Sequence, residues 1–256
     1  MNHSFSAALF LVSVAGTTGL SPRLDATPST SLTTKLVSDH VFRGQRLSGA
    51  SLQPAIDLSA GDLFAGIGAS MPIENRAANQ PGAELDVYAS FRCLLNATTH
   101  LTPGFTAYFY QHAPVRSGYR RAIFEPNLAL SHTLAGVRFT STVYYDLTRT
   151  GPTVDLTADV ALPLTKLGTE LDLAASVGGY RLRDVADSGR PKTRSDGNYW
   201  SLSAMVPFQI TFGSKIQIGV TYAAAFDTEI REGAIAQRNP LATRRVVAQL
   251  GYSLSF

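Results

Sequence analysis

From about Thr30 to the last residue, apolar side chains recur at every second position. The closing stretch "QLGYSLSF" (249–256) shows the pattern in miniature. Leu250, Tyr252, Leu254 and Phe256 share one face, and Gln249, Gly251, Ser253 and Ser255 share the other. A period of two is that of a strand with one oily and one wet side. A chain written this way nearly throughout is all-β, and its strands must form a sandwich or a barrel.

Twelve such segments can be counted. The first, 32–43, is the least regular: Leu32, Leu36 and Phe42 share a face, but Val37 and Val41 oppose it. The others place their apolar residues at Leu52–Leu58, Leu63–Ala69, Leu85–Leu95, Leu101–Phe109, Phe124–Leu130, Val137–Leu147, Val154–Leu162, Leu171–Val177, Trp200–Phe212, Ile216–Phe226 and Val246–Phe256. Many run for about 9–11 residues, the length of a tilted membrane strand.

Charge tests this phasing independently. Sixteen charged residues within the segments fall on the face opposite the apolar one: Lys35, Asp39, Arg43, Asp57, Glu84, Asp86, Arg92, Glu125, Arg138, Asp146, Asp155, Asp159, Glu170, Asp172, Lys215 and Arg245. Arg181 alone falls on the apolar face, near a strand end where its long stem can snorkel. Only 16% of the chain is charged, against roughly 25% in ordinary soluble proteins. The shortfall points to an exterior that does not face water. No internal apolar run reaches about 18 residues, so no segment reads as a membrane helix. Lipid satisfies no backbone hydrogen bonds, which leaves a closed barrel as the way to span.

The connections distinguish barrel from sandwich. The links at 44–50, 72–83, 113–121, 148–152, 183–198 and 227–243 are longer as a set than those at 60–62, 96–100, 133–136, 163–169 and 213–214, and the two sets alternate. Long loops at one end and tight turns at the other are the outer-membrane pattern. The expectation is a transmembrane antiparallel up-and-down β-barrel of about twelve strands over 30–256, with both termini periplasmic. Residues 1–26 carry a short apolar stretch, Ala7 to Ala15, and read as a signal peptide plus a loose Ser/Thr/Pro-rich segment. Cys93 is the single cysteine, so no intrachain disulfide can form.

The segment "VSDHVFRGQRLSGASLQPAIDLSAGDLFAGIGASM" (37–71), followed by "GAELDVYASF" (82–91), resembles the start of the TorF-family porins. The shared features are a strand ending in an aromatic-Arg-Gly turn (Phe42, Arg43, Gly44), a Pro-containing strand, a hairpin strand, and a Glu-Leu-Asp strand (Glu84, Leu85, Asp86). The sequence "GDLFAG" stands where an aromatic more usually follows the turn glycine. The resemblance implies an outer-membrane barrel of porin type, and it brings no substrate and no catalytic residues. The terminal aromatic strand also resembles the signal read by the bacterial barrel assembly machinery.

With polar residues inward, the lumen holds ten acids and six bases. Asp57, Glu84, Asp86, Arg92, Arg138, Asp155, Asp159, Glu170, Asp172, Lys215 and Arg245 are the expected pore lining, with Asp155, Asp159, Glu170 and Asp172 forming an acidic wall. Carboxylate-lined pores favour cations. The expected function is passive diffusion of small hydrophilic solutes or ions, weakly cation-preferring, and the alternatives are a plugged structural barrel or a barrel enzyme acting on lipids or esters. The long loops are rich in arginine, which suits lipopolysaccharide phosphates. They also read as ordinary solvated loops.

No enzyme is expected. His40 beside Asp39 makes a poor dyad, because strand neighbours point to opposite faces, and His112 could meet Ser117 only through loop folding. The paired carboxylates Glu84/Asp86 and Glu170/Asp172 lack the further ligands of a calcium site, so neither metal nor cofactor is expected. Dispersed bases and the lack of a groove-reading helix argue against nucleic acid.

Overall fold

The computed structural model describes residues 28–74, 82–111, 120–184, 193–232 and 235–256. In chain order the strands are β1 (Ser29–Val37), β2 (His40–Phe42), β3 (Gln45–Ser48), β4 (Ser51–Ala60), β5 (Leu63–Pro72), β6 (Glu84–Phe91), β7 (Cys93–Asn96) and β8 (Thr99–Tyr110). They continue with β9 (Ala122–Leu134), β10 (Val137–Asp146), β11 (Gly151–Leu164), β12 (Thr169–Asp184), β13 (Thr193–Thr211), β14 (Ser214–Glu232), β15 (Ile235–Arg238) and β16 (Arg244–Ser255). Each long strand pairs antiparallel with its sequence neighbour among the long strands, from β1 with β4 through to β14 with β16. The pairing of β1 with β16, from Ser31↔Ser255 to Val37↔Gln249, closes the ring. The result is a closed antiparallel barrel of twelve strands. Thr30 and Phe256 exchange two backbone hydrogen bonds at the seam, of 2.9 and 3.0 Å, so the terminal strand is paired to its end. Both described ends of the chain lie at the short-turn end of the barrel.

Inside and outside follow the phasing in the sequence. Phe91, Phe139 and Ile218 lie on the exterior at 39%, 47% and 51% exposure, whereas Asp86 and Glu125 are 5% and 1% exposed. An exterior this apolar belongs in hydrocarbon. Phe105, Phe109 and Phe124 cluster on one side, with ring centroids 6.2 and 6.3 Å apart, and Trp200 packs on Tyr222 and Phe226 on another.

The first segment departs from expectation. β1 stops at Val37, and residues 40–48 form a separate two-stranded hairpin, β2–β3, that folds inward. Phe42, expected on the lipid face, is 9% exposed among the lumen tyrosines. The reversed phase of Val37 and Val41 was the trace of this break. The turn sits at Arg43 and Gly44, with φ of +45° and +72°, the primed conformation that two-residue hairpins require.

The links 183–198 and 227–243 also differ. β12 continues to Asp184, β13 starts at Thr193, and β14 runs to Glu232 and pairs with β15. Tyr180, Leu182, Ser195, Thr228 and Ile230 remain buried on the inner face. The outer face there turns from apolar to charged, so the apolar alternation ended before the strands did. The expected signal peptide, His112, Ser117 and the loop bases Arg76, Arg116, Arg190 and Lys192 lie outside the described residues.

Candidate functional site: the barrel lumen

The lumen divides into two halves. Toward the long-loop end it is filled by the hairpin β2–β3. Its turn presses on the inner wall of β13 and β14: a Cβ at Gly44 would lie 2.9 Å from Tyr199 Cβ and 3.0 Å from Ala225 Cα. Only glycine fits that approach at a positive φ. The hairpin joins the 241–243 segment through backbone bonds from Arg46 N to Leu241 O and from Thr243 N to Gly44 O, each 2.9 Å. Phe42 and Leu47 sit in an apolar seat made by Tyr180, Leu182 and Tyr199. Burying these two side chains stabilises the hairpin by about 3–6 kcal/mol.

From the turn, Arg43 reaches the opposite wall. Its Nη1 and Nη2 donate to Glu125 Oε1 and Oε2 at 2.9 and 3.1 Å, a two-pronged ion pair buried at both ends. Tyr108 donates its hydroxyl to Glu125 Oε2 at 3.0 Å. The guanidinium lies 4.7 Å from the Phe42 ring centroid and 4.9 Å from that of Tyr144. A buried ion pair brings little net stability over an apolar packing, but removing one partner costs about 3–5 kcal/mol. The aromatic-Arg-Gly motif is therefore the tip of the plug. Arg43 also holds a left-handed φ, which costs about 1 kcal/mol or more for a non-glycine residue.

Smaller contacts complete the seal. Gln45 Nε2 donates to Tyr180 OH at 2.9 Å. His40 Nδ1 lies 2.9 Å from Ser70 Oγ, both groups buried, which pins the hairpin to β5. This serine-histidine contact was invisible in the sequence, because the partners are thirty residues apart and meet only after the hairpin turns inward. Arg46 Nε donates to Asp39 at 2.6 Å, and Arg245 approaches the same carboxylate at 3.5 Å at the rim. The lumen tyrosines lie flat against the wall over glycines: Tyr180 covers Gly197, and Tyr199 covers Gly178. This leaves the axis to the hairpin.

Toward the short-turn end the lumen is wetter. Glu170 and Lys215 are exposed, Asp172 is half-buried, and the Arg92 and Arg138 side chains are each 30% exposed. Arg138 pairs with Asp159, and Arg92 with Asp62. The eleven expected lining residues thus separate by depth. Glu84, Asp86 and Asp155 belong to the filled half, and Asp57 sits lower on β4, accepting the Tyr88 hydroxyl at 2.5 Å. Arg92, Arg138, Asp159, Glu170, Asp172 and Lys215 belong to the wetter half, and Arg245 to the rim.

The expected acidic wall is not continuous. Asp155 accepts a hydrogen bond from Tyr199 on the wall beside the hairpin, and Asp159 is paired, leaving Glu170 and Asp172. Arg149, expected in a solvated loop, is 6% exposed and bound to Asp146 through both its backbone N–H and its guanidinium. Among the described residues, no group of three or more His, Cys, Asp or Glu side chains is placed to hold a metal ion.

Residues 25–244 match the family described as "Bacterial protein of unknown function (Gcw_chp)". No curated protein matches the chain. Among solved structures, the fold resembles the NanC porin, with a TM-score of 0.53 and 12% identity over 88% of this chain and 98% of that one. Weaker likenesses are to the COG4313 outer membrane channel from Pseudomonas putida F1 (TM-score 0.42, 12% identity, 90% and 96% covered) and the outer membrane protease OmpT from Escherichia coli (TM-score 0.35, 12% identity, 93% and 99% covered). At this identity the likeness to NanC concerns the fold, that of a bacterial outer-membrane β-barrel.

Proposed function

The chain belongs to the Gcw_chp family of bacterial proteins of unknown function, and we propose that it is a narrow outer-membrane channel for small hydrophilic solutes or ions. In this reading the short-turn end and both termini face the periplasm, and the inserted hairpin sets the constriction. The observation that carries it is the wet, charged lower lumen, with Glu170 and Lys215 exposed and Asp172 half-buried. The resemblance to TorF-family porins points the same way. A lumen reduced to its lower half has few unpaired carboxylates, so its cation preference is weak and comes from Glu170 and Asp172.

A second reading is favoured by the packing of Phe42, Leu47 and Arg43: a barrel kept shut at its outer end. A liposome-swelling panel of sugars, amino acids and salts of graded size separates the two. The channel reading expects swelling for the smallest solutes and a steep cutoff above them. No swelling with any solute would favour the shut barrel.

A further inference from the structure

The three strands that project farthest carry an arginine face that the lumen does not use. β12, β13 and β14 have 16, 19 and 19 residues, well beyond the roughly 9–11 that span a membrane. Trp200, tilted against Tyr222 at 5.1 Å and stacked with Phe226 at 6.1 Å, belongs to the aromatic belt of this exterior wall. Beyond it toward the long-loop end, register places Arg181, Asp196, Glu229 and Arg238 in one row across β12–β15. The next row on the same face is Arg183, Arg194 and Arg231. These side chains alternate with the buried inner residues Leu182, Ser195 and Ile230, so they point outward.

Strand rise and tilt put the two rows about 9 and 14 Å past the Trp200 row along the membrane normal, at the headgroup level. Five arginines face two carboxylates there. Asp196 is shared between Arg181 at 3.5 Å and Arg194 at 2.5 Å, and Glu229 pairs with Arg231. The Arg181 and Arg231 side chains are 61% and 54% exposed. Like charges directly opposite on neighbouring strands repel, and Arg183, Arg194 and Arg231 form such a run of three. An anion between them would relieve the repulsion, and arginine's planar fork suits phosphate.

We propose that this outward arginine face of β12–β15 binds the phosphate groups of a phosphorylated glycolipid in the surrounding outer leaflet. The face turns sideways to the bilayer rather than up to solvent or into the pore, which selects a lipid over a free solute. The inference rests on the outer-membrane placement in the proposed function and not on conduction.

Trp200, the single tryptophan, lies beneath the patch and reports on it. The purified barrel in maltoside micelles is titrated with bisphosphorylated lipid A, with dephosphorylated lipid A and with inorganic pyrophosphate, following Trp200 fluorescence. The expected result is at least tenfold tighter binding of the phosphorylated lipid. That preference should vanish in Arg183→Gln/Arg194→Gln/Arg231→Gln and persist in part in the triple lysine variant. Equal binding of the two lipids, or an unchanged preference in the glutamine variant, overturns the proposal. Pyrophosphate competing as well as the lipid overturns it in favour of a small-anion site. Unheated gel mobility keeps the two readings apart: a wild-type protein that does not migrate as a heat-modifiable barrel would sink the membrane placement itself.

Discussion

Arg43 and Glu125 are the residues on which the state of the lumen turns. Their side chains are 2% exposed and bound through two hydrogen bonds, so neither can lose the other without leaving a buried charge. Glu125→Gln removes that charge and keeps the shape. It should destabilise the seated hairpin by about 3–5 kcal/mol, comparable to the contribution of the Phe42 and Leu47 seat. Hydrogen exchange at Arg46 and Thr243, whose amides bind Leu241 and Gly44, should then accelerate by about a hundredfold or more, while exchange in the β9–β10 ladder stays unchanged. An unchanged rate at those two amides would mean that the pair does not hold the hairpin.

His40 adds a pH dependence. It belongs to the inserted hairpin rather than to a spanning strand, and burial pushes its pKa from 6.5 down to about 4. The unseated hairpin binds a proton more readily than the seated one between those values. Seating is therefore fully supported above pH 6.5 and loses about 3 kcal/mol as the pH falls toward 4. Exchange at Arg46 should rise across that window in the wild type and stay flat in His40→Asn. A third residue-level test concerns selectivity. Asp172→Asn should move the zero-current potential in a salt gradient toward zero, and Asp155→Asn should leave it unchanged, because Asp155 is enclosed with Tyr199 above the wet lumen. Equal shifts would restore the continuous acidic wall.

At the scale of elements, the spanning strands were legible and the hairpin was not. Period-two alternation identifies the spanning strands from β4 onward because one face must satisfy lipid and the other must not, and a one-residue slip would reverse every side chain. That force ends at the membrane boundary. Past Arg181 the outer face of β12–β14 carries charge, and the continuing strands look like loop. The hairpin fails for a different reason. Inside the lumen both of its faces meet protein, so Phe42 and Leu47 are buried along with Gln45 and Ser48, and no alternation marks them. Gly44 and the phase error at Val41 were the available signals. Contacts across the lumen, such as Arg43 with Glu125 and His40 with Ser70, have no signature in sequence spacing. Replacing 40–48 with a short Gly/Ser linker should leave the ring of twelve strands intact by unheated gel mobility and widen the size cutoff for swelling. A lost barrel mobility would show that the hairpin is needed for the barrel itself.

For the molecule as a whole, the division of labour is between a ring that meets lipid and a lumen that is closed above and wet below. The ring is held by backbone pairing, with Thr30 and Phe256 locking the seam. In the channel reading proposed above, the lumen contents, Arg43 above and Asp172, Glu170 and Lys215 below, set what passes. The most direct measurement is single-channel conductance in planar bilayers of the wild-type barrel beside Glu125→Gln. A small wild-type conductance is expected, with a several-fold larger, noisier one in the variant as the hairpin leaves the axis. Equal conductance in the two proteins, or none in either, would contradict the proposed reading.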